Sequence, residues 1–219
     1  MKTVKKIILV FLFVSFTSCF EKEVEIIETE EENILHKNSP LSALMSGVTS
    51  HNASFDDRID DSDCFSLIFP YDILINEQIT TILNIDDINL IDDTDEVELL
   101  FPVSIAFGDY ETRVLENEVE FNTVSALCQN GELYNFNIEC AEFVYPFSYA
   151  IYNTVSRNFD TSIIYSKKEA FQFLAGLKED DIYKINYPLD IILYDTDHYI
   201  VNTNQFLHNH FVNASQVCD

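Results

Sequence analysis

The sequence predicts an α+β protein that is internally duplicated, with four ββα-like units forming two similar halves, each closed by a disulfide bond. Three observations lead to this prediction: an aromatic–proline motif occurs four times, a helix-start signal follows each copy, and four cysteines frame the copies in pairs. The chain can bury a core, since 47% of its 219 residues are hydrophobic. Its 18 Phe and 11 Tyr, against four Gly, favour β-structure.

The repeated motif is an aromatic residue, a proline and a run of alternating apolar residues. The alternation predicts a strand after each proline. Proline cannot donate a ladder hydrogen bond, so each one is expected at a strand start, an edge or a bulge, in a structural role. The four copies span residues 69–75, 101–107, 145–151 and 187–193. Turns and second β-like runs follow them, with the turns near residues 76–77, 108–109, 153–160 and 195–197.

A helix-start signal follows each predicted hairpin. Ser166 and Glu169 form a capping box, in which the two side chains satisfy free backbone N–H groups at the start of a helix. Phe171, Leu174 and Leu177 then recur at intervals of three, as the buried face of a helix requires. The predicted N-cap residues are Asn84, Asn117, Ser166 and Asn202, which follow their prolines by 14, 15, 20 and 14 residues.

Cysteines frame the two predicted halves, which span residues 64–128 and 140–218. In each half one cysteine lies six residues before the first proline and the other ends the last helix. Four cysteines permit three pairings. The duplication favours Cys64–Cys128 with Cys140–Cys218, and free buried thiols are the alternative.

Residues 1–18 have the pattern of a lipoprotein signal peptide. Three lysines precede an apolar run over residues 7–14, which is too short to span a bilayer comfortably as a helix. Phe16-Thr17-Ser18-Cys19 resembles a bacterial lipobox, in which the cysteine receives a diacylglyceryl group and becomes the new N-terminus. The sequence therefore predicts lipidation of Cys19, with an ordinary secretory signal as the alternative.

An acidic and polar segment follows, and it predicts a tether over residues 19–63. Its like charges and few core-forming residues favour an extended chain, and disorder is expected to about Asp63, apart from a conceivable helical turn over residues 41–45. Acidic residues directly after the cysteine resemble a surface-export signal. The predicted location is the outer membrane, facing either the cell surface or the periplasm.

The charge of the chain limits its partners. Lys plus Arg number 12 and Asp plus Glu number 38, which gives a formal charge of −26. Such a chain repels phosphate groups, so nucleic acid is excluded and contact with the membrane is expected through the lipid anchor only. An envelope protein, a glycan or a cation remains as the partner, and solubility alone also explains the charge.

The sequence contains no recognisable catalytic constellation. It lacks a Gly-x-Ser-x-Gly elbow, a phosphate-binding glycine loop, His-Glu-x-x-His and Cys-x-x-Cys. The predicted function is a non-enzymatic interaction or binding module without a cofactor. Two alternatives stay open: an enzyme with a cryptic carboxylate site, and a Ca²⁺-stabilised structural surface protein. Acidic runs at residues 56–63 and 86–96 motivate the second, although neither has EF-hand spacing. The Ca²⁺ candidates are Asp86, Asp87, Asp92, Asp93 and Asp95.

The strands Cys64-Phe-Ser-Leu-Ile-Phe-Pro70 and Cys140-Ala-Glu-Phe-Val-Tyr-Pro146 resemble those of a family of uncharacterised lipoproteins from Bacteroidetes, especially flavobacteria. In that family a Cys-Phe-x-x-x-(Phe/Tyr)-Pro strand, a hairpin and a capped acidic helix are repeated. The likeness covers about residues 46 to 218. It implies an envelope lipoprotein and supplies no catalytic residues. Many relatives have an Asp-Gly hairpin turn where this chain has Asn76-Glu77.

Overall fold

Each proline of the repeated motif lies between a short strand and a β-hairpin. The computed structural model describes residues 33–92 and 94–218, which form a mixed α+β structure with four small antiparallel sheets. All four aromatic–proline peptide bonds are cis, and each proline directly precedes the first strand of its hairpin. The predicted placement of proline near a strand start is therefore confirmed.

The elements follow one another in a recurring order. The N-terminal elements are β1 (Leu35–His36), α1 (Pro40–Thr49) and α2 (Asp57–Asp60). The first half contains β2 (Phe65–Leu67), β3 (Tyr71–Ile75), β4 (Gln78–Ile82), α3 (Ile85–Ile88), β5 (Val97–Leu99), β6 (Val103–Phe107), β7 (Thr112–Leu115) and α4 (Glu118–Gln129). The second half contains β8 (Ala141–Phe143), β9 (Phe147–Asn153), β10 (Asn158–Ile164), α5 (Lys167–Gly176), β11 (Ile182–Ile185), β12 (Leu189–Leu193), β13 (Asp197–Val201) and α6 (Asn204–Val217).

The predicted helix starts agree with the structure with one shift. Asn84, Asn117 and Ser166 are N-cap residues whose side chains accept backbone hydrogen bonds. The fourth N-cap is Thr203 and not Asn202, because the Thr203 hydroxyl accepts the N–H of Phe206 at 3.2 Å. Each unit also has one more strand than the ββα pattern predicted, since a short strand precedes every proline.

Each of these short strands pairs with the hairpin of the other unit in its half, and we call this arrangement the strand exchange. In the first half β2 pairs with β6 of the following unit, and β5 pairs with β3 of the preceding unit. In the second half β8 pairs with β12 and β11 pairs with β9 in the same reciprocal way. A single unit therefore cannot complete its own sheet. In the first half the two units complete each other's sheets, whereas in the second half the sheet that contains β9 and β11 also includes β1 from the N-terminal segment.

The register of the exchange is the same at all four places. The residue three positions before one proline pairs with the residue three positions after the other proline of that half. The residue two positions before a proline donates its N–H to the carbonyl group two positions after the other proline, at 2.8–3.0 Å. A slip by one residue would turn every buried side chain outwards. The register pairs are Leu67 with Ile105, Leu99 with Ile73, Phe143 with Ile191, and Ile185 with Tyr149.

Disulfide bonds close both halves with the predicted pairing. Cys64 bonds to Cys128 with a Cα–Cα distance of 5.8 Å, and Cys140 bonds to Cys218 with a Cα–Cα distance of 6.0 Å. Each bond joins the start of the first short strand of a half to the last helix of that half. The closed loops span 64 and 78 residues. On the chain-entropy account, each crosslink stabilises the fold by about 4 kcal/mol.

The predicted tether is wrong over residues 35–63, which are structured and packed. Helix α1 contacts α5 and α6, and Leu41, Met45 and Val48 belong to the core of the second half. Two hydroxyl groups of the segment are satisfied by its own backbone. The hydroxyl of Ser42 donates to the carbonyl of His36 at 2.7 Å, and that of Thr49 donates to the carbonyl of Met45 at 2.7 Å.

The two halves contact each other through the turn between β6 and β7. The Tyr110 hydroxyl in this turn donates to the carbonyl of Thr49 at 3.0 Å. Its ring packs against Phe171 of α5 with a centroid distance of 5.6 Å. The segment that connects the halves also packs on α1, where Gly47 allows a close approach because a Cβ atom there would lie 2.5 Å from the Phe136 ring. Among the described residues, no helix combines the length and apolar character that crossing a bilayer requires.

Replacing Met45 with Ala tests the packing of α1. Met45 is fully buried in the core of the second half, so the variant should lose about 2–5 kcal/mol of unfolding free energy, measured by urea denaturation. Leu90→Ala is the control, because Leu90 is 83% exposed. Equal stability of the two variants would show that α1 does not pack on the body.

Candidate functional site

The predicted site residues fall into three groups in the structure. Cys19, the predicted lipidation site, lies outside the described residues. Cys64, Cys128, Cys140 and Cys218 form the two disulfides. The acidic Ca²⁺ candidates lie in α3 and in the loop that follows it, with the exception of Asp93, which is outside the described residues.

The described Ca²⁺ candidates serve largely as helix caps and turn residues. The Asp87 carboxylate accepts the backbone N–H groups of Leu83 and Asn84 at 2.8 and 3.2 Å. Asp92 accepts the N–H of Thr94 at 3.1 Å. Asp95 accepts the N–H of Asp92 at 2.8 Å and the amide of Asn76 at 2.7 Å. These carboxylates therefore stabilise the local turns directly.

Among the described residues, three or more His, Cys, Asp or Glu side chains converge at one place, where Asp63 lies beside Cys64 and Cys128. Both cysteines of this group are oxidised to a disulfide, so they have no thiolate to offer to a metal ion.

The two histidines of α6, His208 and His210, are close in sequence and lie in different surroundings. His208 lines a cavity beside Ser39 and Pro40, whereas His210 packs on the Tyr199 ring at 4.6 Å.

The second half has an open groove where its two exchanged strands cross, and this groove has a volume of about 520 Å³. Both aromatic–proline turns of that half line it, through Pro146 and Pro188. Ser148 and Asn186 form its polar centre, where the Asn186 amide donates to the Ser148 hydroxyl at 2.9 Å. Ile163 of β10 forms one wall and is 56% exposed.

Strand β10 beside this groove is the edge of its sheet. The strand order is β1-β11-β9-β10, and β10 pairs with β9 along seven residues. Edge strands are usually protected by lysine, proline or a bulge. The sequence of β10, Asn158 to Ile164, contains no lysine and no proline. Asp160 is the one charged residue of this strand, and its carboxylate accepts the Asn153 amide at 2.7 Å. The edge therefore presents its backbone groups with little protection, next to an apolar wall.

A second unusual place lies in the first half, and we call Asp56, Asp60 and Tyr71 the buried acid cluster. These residues are 0%, 3% and 5% exposed. One oxygen of Asp56 accepts the N–H of Leu67 at 2.6 Å, and one oxygen of Asp60 accepts the N–H of Ser62 at 3.1 Å. The other carboxylate oxygens and the Tyr71 hydroxyl find no hydrogen-bond partner within the described part of the chain.

The electrostatics of this cluster follow from burial and like charge. Burial raises the pKa of Asp56 to about 7. Burial and then the neighbouring Asp56 charge raise the pKa of Asp60 to about 9. Burial, and then the charges of both carboxylates, raise the pKa of the Tyr71 hydroxyl. Two buried like charges are costly unless a proton or a cation neutralises them.

Sequence reasoning counted Asp56 and Asp60 among the acids of a solvated tether and so missed this cluster. One signal was present. Phe55 and Ile59 are four residues apart, as are Asp56 and Asp60, so a helical turn that buries the apolar pair brings the two acids towards the core. Phe55 and Ile59 do pack against the core of the first half.

Comparison with protein-family models, with curated proteins and with solved structures finds no match to this chain. The fold and the two disulfides define it as a mixed α+β protein made of several small antiparallel sheets. Its function must therefore be inferred from its own residues.

The buried acid cluster predicts that metal-free protein loses stability as the pH rises. A carboxyl group whose pKa is raised in the folded state contributes stability that is complete below its unfolded pKa and is lost as the pH rises through the folded pKa. For Asp60 this window runs from the ordinary value of 3.8 to about 9. Each such group contributes a slope of up to about 1.4 kcal/mol per pH unit.

Urea denaturation between about pH 5 and pH 8 measures this slope. Asp60→Asn should flatten it, since the amide keeps the size of the side chain and does not ionise. Asp61→Asn is the matched control, because Asp61 is exposed and asparagine tolerates its left-handed backbone. Identical slopes in the two variants would contradict the prediction.

Proposed function

We propose that this chain is an outer-membrane lipoprotein, held by a lipid on Cys19, that acts as a non-enzymatic interaction module. The N-terminal signal supports the anchor, because its lysines, short apolar run and lipobox-like residues precede Cys19. The two disulfides support export, because such bonds are typical of oxidising compartments outside the cytoplasm. The resemblance to flavobacterial lipoproteins supports the same assignment.

The open groove of the second half is the observation that carries the binding function. Its apolar wall, Ile163, lies on the sparsely protected edge strand β10. An extended segment of a partner can pair with the backbone of such an edge, while its alternate side chains reach the neighbouring groove. The proposed partner is therefore a protein that contributes a strand to the β10 edge.

The charge of the chain selects a basic partner. The formal charge is −26, and Asp190, an exposed residue, lies on the rim of the groove. Complementary charge increases the rate of association and repels acidic competitors. A segment rich in lysine or arginine matches this surface best.

Duplication is proposed as the origin of the scaffold. Each of the four units has a short strand, an aromatic–proline pair, a hairpin and a helix, and the exchanged strands keep one register. Independent sequences would have no reason to share that register. A copied ββα-like unit, and then a copied half with its disulfide, accounts for the pattern.

Lipidation of Cys19 predicts a specific mass for the membrane-extracted protein. Intact-mass spectrometry should give the mass of residues 19–219 plus a diacylglyceryl group and an amide-linked acyl chain. Cys19→Ser should abolish both the acyl mass and recovery in the membrane fraction. Wild-type protein that keeps residues 1–18 and carries no acyl group would contradict the anchor.

Ile163→Glu tests the groove in pull-downs from envelope extracts. Burial of an isoleucine contributes about 1.5–3 kcal/mol to binding, so the variant should retain at least about tenfold less of a basic partner than wild type. Val155→Glu, at a turn residue that is 93% exposed and outside the groove lining, is the control. Retention of the same proteins in equal amounts by wild type and Ile163→Glu would contradict the proposal.

A further inference from the structure

We propose that the buried acid cluster, Asp56, Asp60 and Tyr71, is a binding site for a hard divalent cation, with Ca²⁺ as its occupant. The site is distinct from the groove and does not depend on the proposed partner. It also differs from the acidic loop over residues 86–95, where the sequence placed its Ca²⁺ candidates.

The first support is the arrangement of the oxygens that lack partners. Asp56 precedes α2 and Asp60 is its last residue, one helical turn later, where the N–H of Asp60 donates to the carbonyl of Asp56 at 3.2 Å. Tyr71 approaches from β3, a different segment. The Phe69 ring packs on Phe55, the neighbour of Asp56, at a centroid distance of 5.8 Å and on Tyr71 at 5.5 Å, which brings the two segments together. Three buried oxygens of these segments find no hydrogen-bond partner among the described residues.

The second support is that local structure does not account for these oxygens. In each carboxylate one oxygen already accepts a backbone N–H, from Leu67 for Asp56 and from Ser62 for Asp60. These bonds are sufficient to hold the loop and the start of β2. The remaining oxygen of each aspartate accepts no hydrogen bond from the residues that the structure describes, and its burial is costly.

The donor chemistry defines the class of ligand. Two carboxylates and a hydroxyl are hard oxygen donors, which suit Ca²⁺ or Mg²⁺ and not the metal ions that prefer imidazole or thiolate. Ca²⁺ tolerates irregular coordination and mixed oxygen donors, whereas Mg²⁺ requires a near-ideal octahedron and gives up its water reluctantly. A site with donors from a short helix and a strand favours Ca²⁺.

A cation bound at this cluster would link the N-terminal segment to the first half. Asp56 is joined to β2 through Leu67, and Tyr71 belongs to β3. A cation held between them links α2 to both strands. Its binding competes with protons on the two aspartates, so affinity should rise from acidic to mildly alkaline pH. The other titratable group that acts on both aspartates is Asp57, whose charge also opposes their ionisation.

The test is calorimetry of the full chain after removal of metal ions, with and without millimolar Ca²⁺, near pH 8. Ca²⁺ should raise the melting temperature of wild type and of Asp61→Asn by several degrees, and it should leave that of Asp60→Asn unchanged. Asp60→Asn should stay folded, since the amide keeps the size of the side chain and an oxygen that can accept the Ser62 N–H. Near-ultraviolet circular dichroism verifies this. Tyr71→Phe should bind Ca²⁺ more weakly than wild type.

Isothermal titration in two buffers of different ionisation enthalpy gives a second readout. Binding of one Ca²⁺ per chain should release protons from the aspartates, and this release should disappear in Asp60→Asn. The proposal is overturned if Ca²⁺ leaves the wild-type melting temperature unchanged, because a shared proton would then suffice for the pair. It is also overturned if Ca²⁺ stabilises Asp60→Asn as much as wild type, because the ion would then bind the acidic surface.

Discussion

The reciprocal exchange of short strands is the constraint on which the rest of this structure depends. Proline cannot donate a ladder hydrogen bond, so the chain leaves one sheet at each aromatic–proline pair and enters the next. The strand before the proline completes the sheet of the neighbouring unit, and the hairpin after it starts a new sheet. The two units of each half are therefore joined by backbone hydrogen bonds in both directions. The disulfide of each half joins the start of its first short strand to its last helix.

The N-terminal segment packs on both halves. Its earlier residues contact the second half, and its later residues contact the first half. Strand β1 and helix α1, which come first in sequence, complete the second half through Leu35, Met45 and their neighbours. Residues 53–63 then pack on the first half, where Asp56 holds β2. The segment thus packs against both halves. Tyr110 of the first half contacts Thr49 of this segment and Phe171 of the second half. Stability of the second half consequently depends on residues far from it in sequence.

The two halves share one scaffold and present different chemistry. In the second half the crossing of the exchanged strands forms an open groove beside a sparsely protected edge. In the first half Tyr71, the residue after Pro70, is buried, and so are Asp56 and Asp60 of the N-terminal segment. The same strand exchange is therefore accompanied by an open groove in one half and by two buried carboxyl groups in the other.

The sequence by itself determined the α+β class, the aromatic–proline strands, three of the four helix caps and both disulfide pairings. These features depend on local periodicity, on side chains that cap their own helix, and on covalent partners whose spacing recurs. The tertiary structure alone decided the strand exchange, the docking of α1 and the burial of Asp56 and Asp60. Each of these features depends on contacts between segments that are far apart in sequence, such as Leu67 with Ile105 and α1 with α6, and local periodicity does not specify which surface a segment meets.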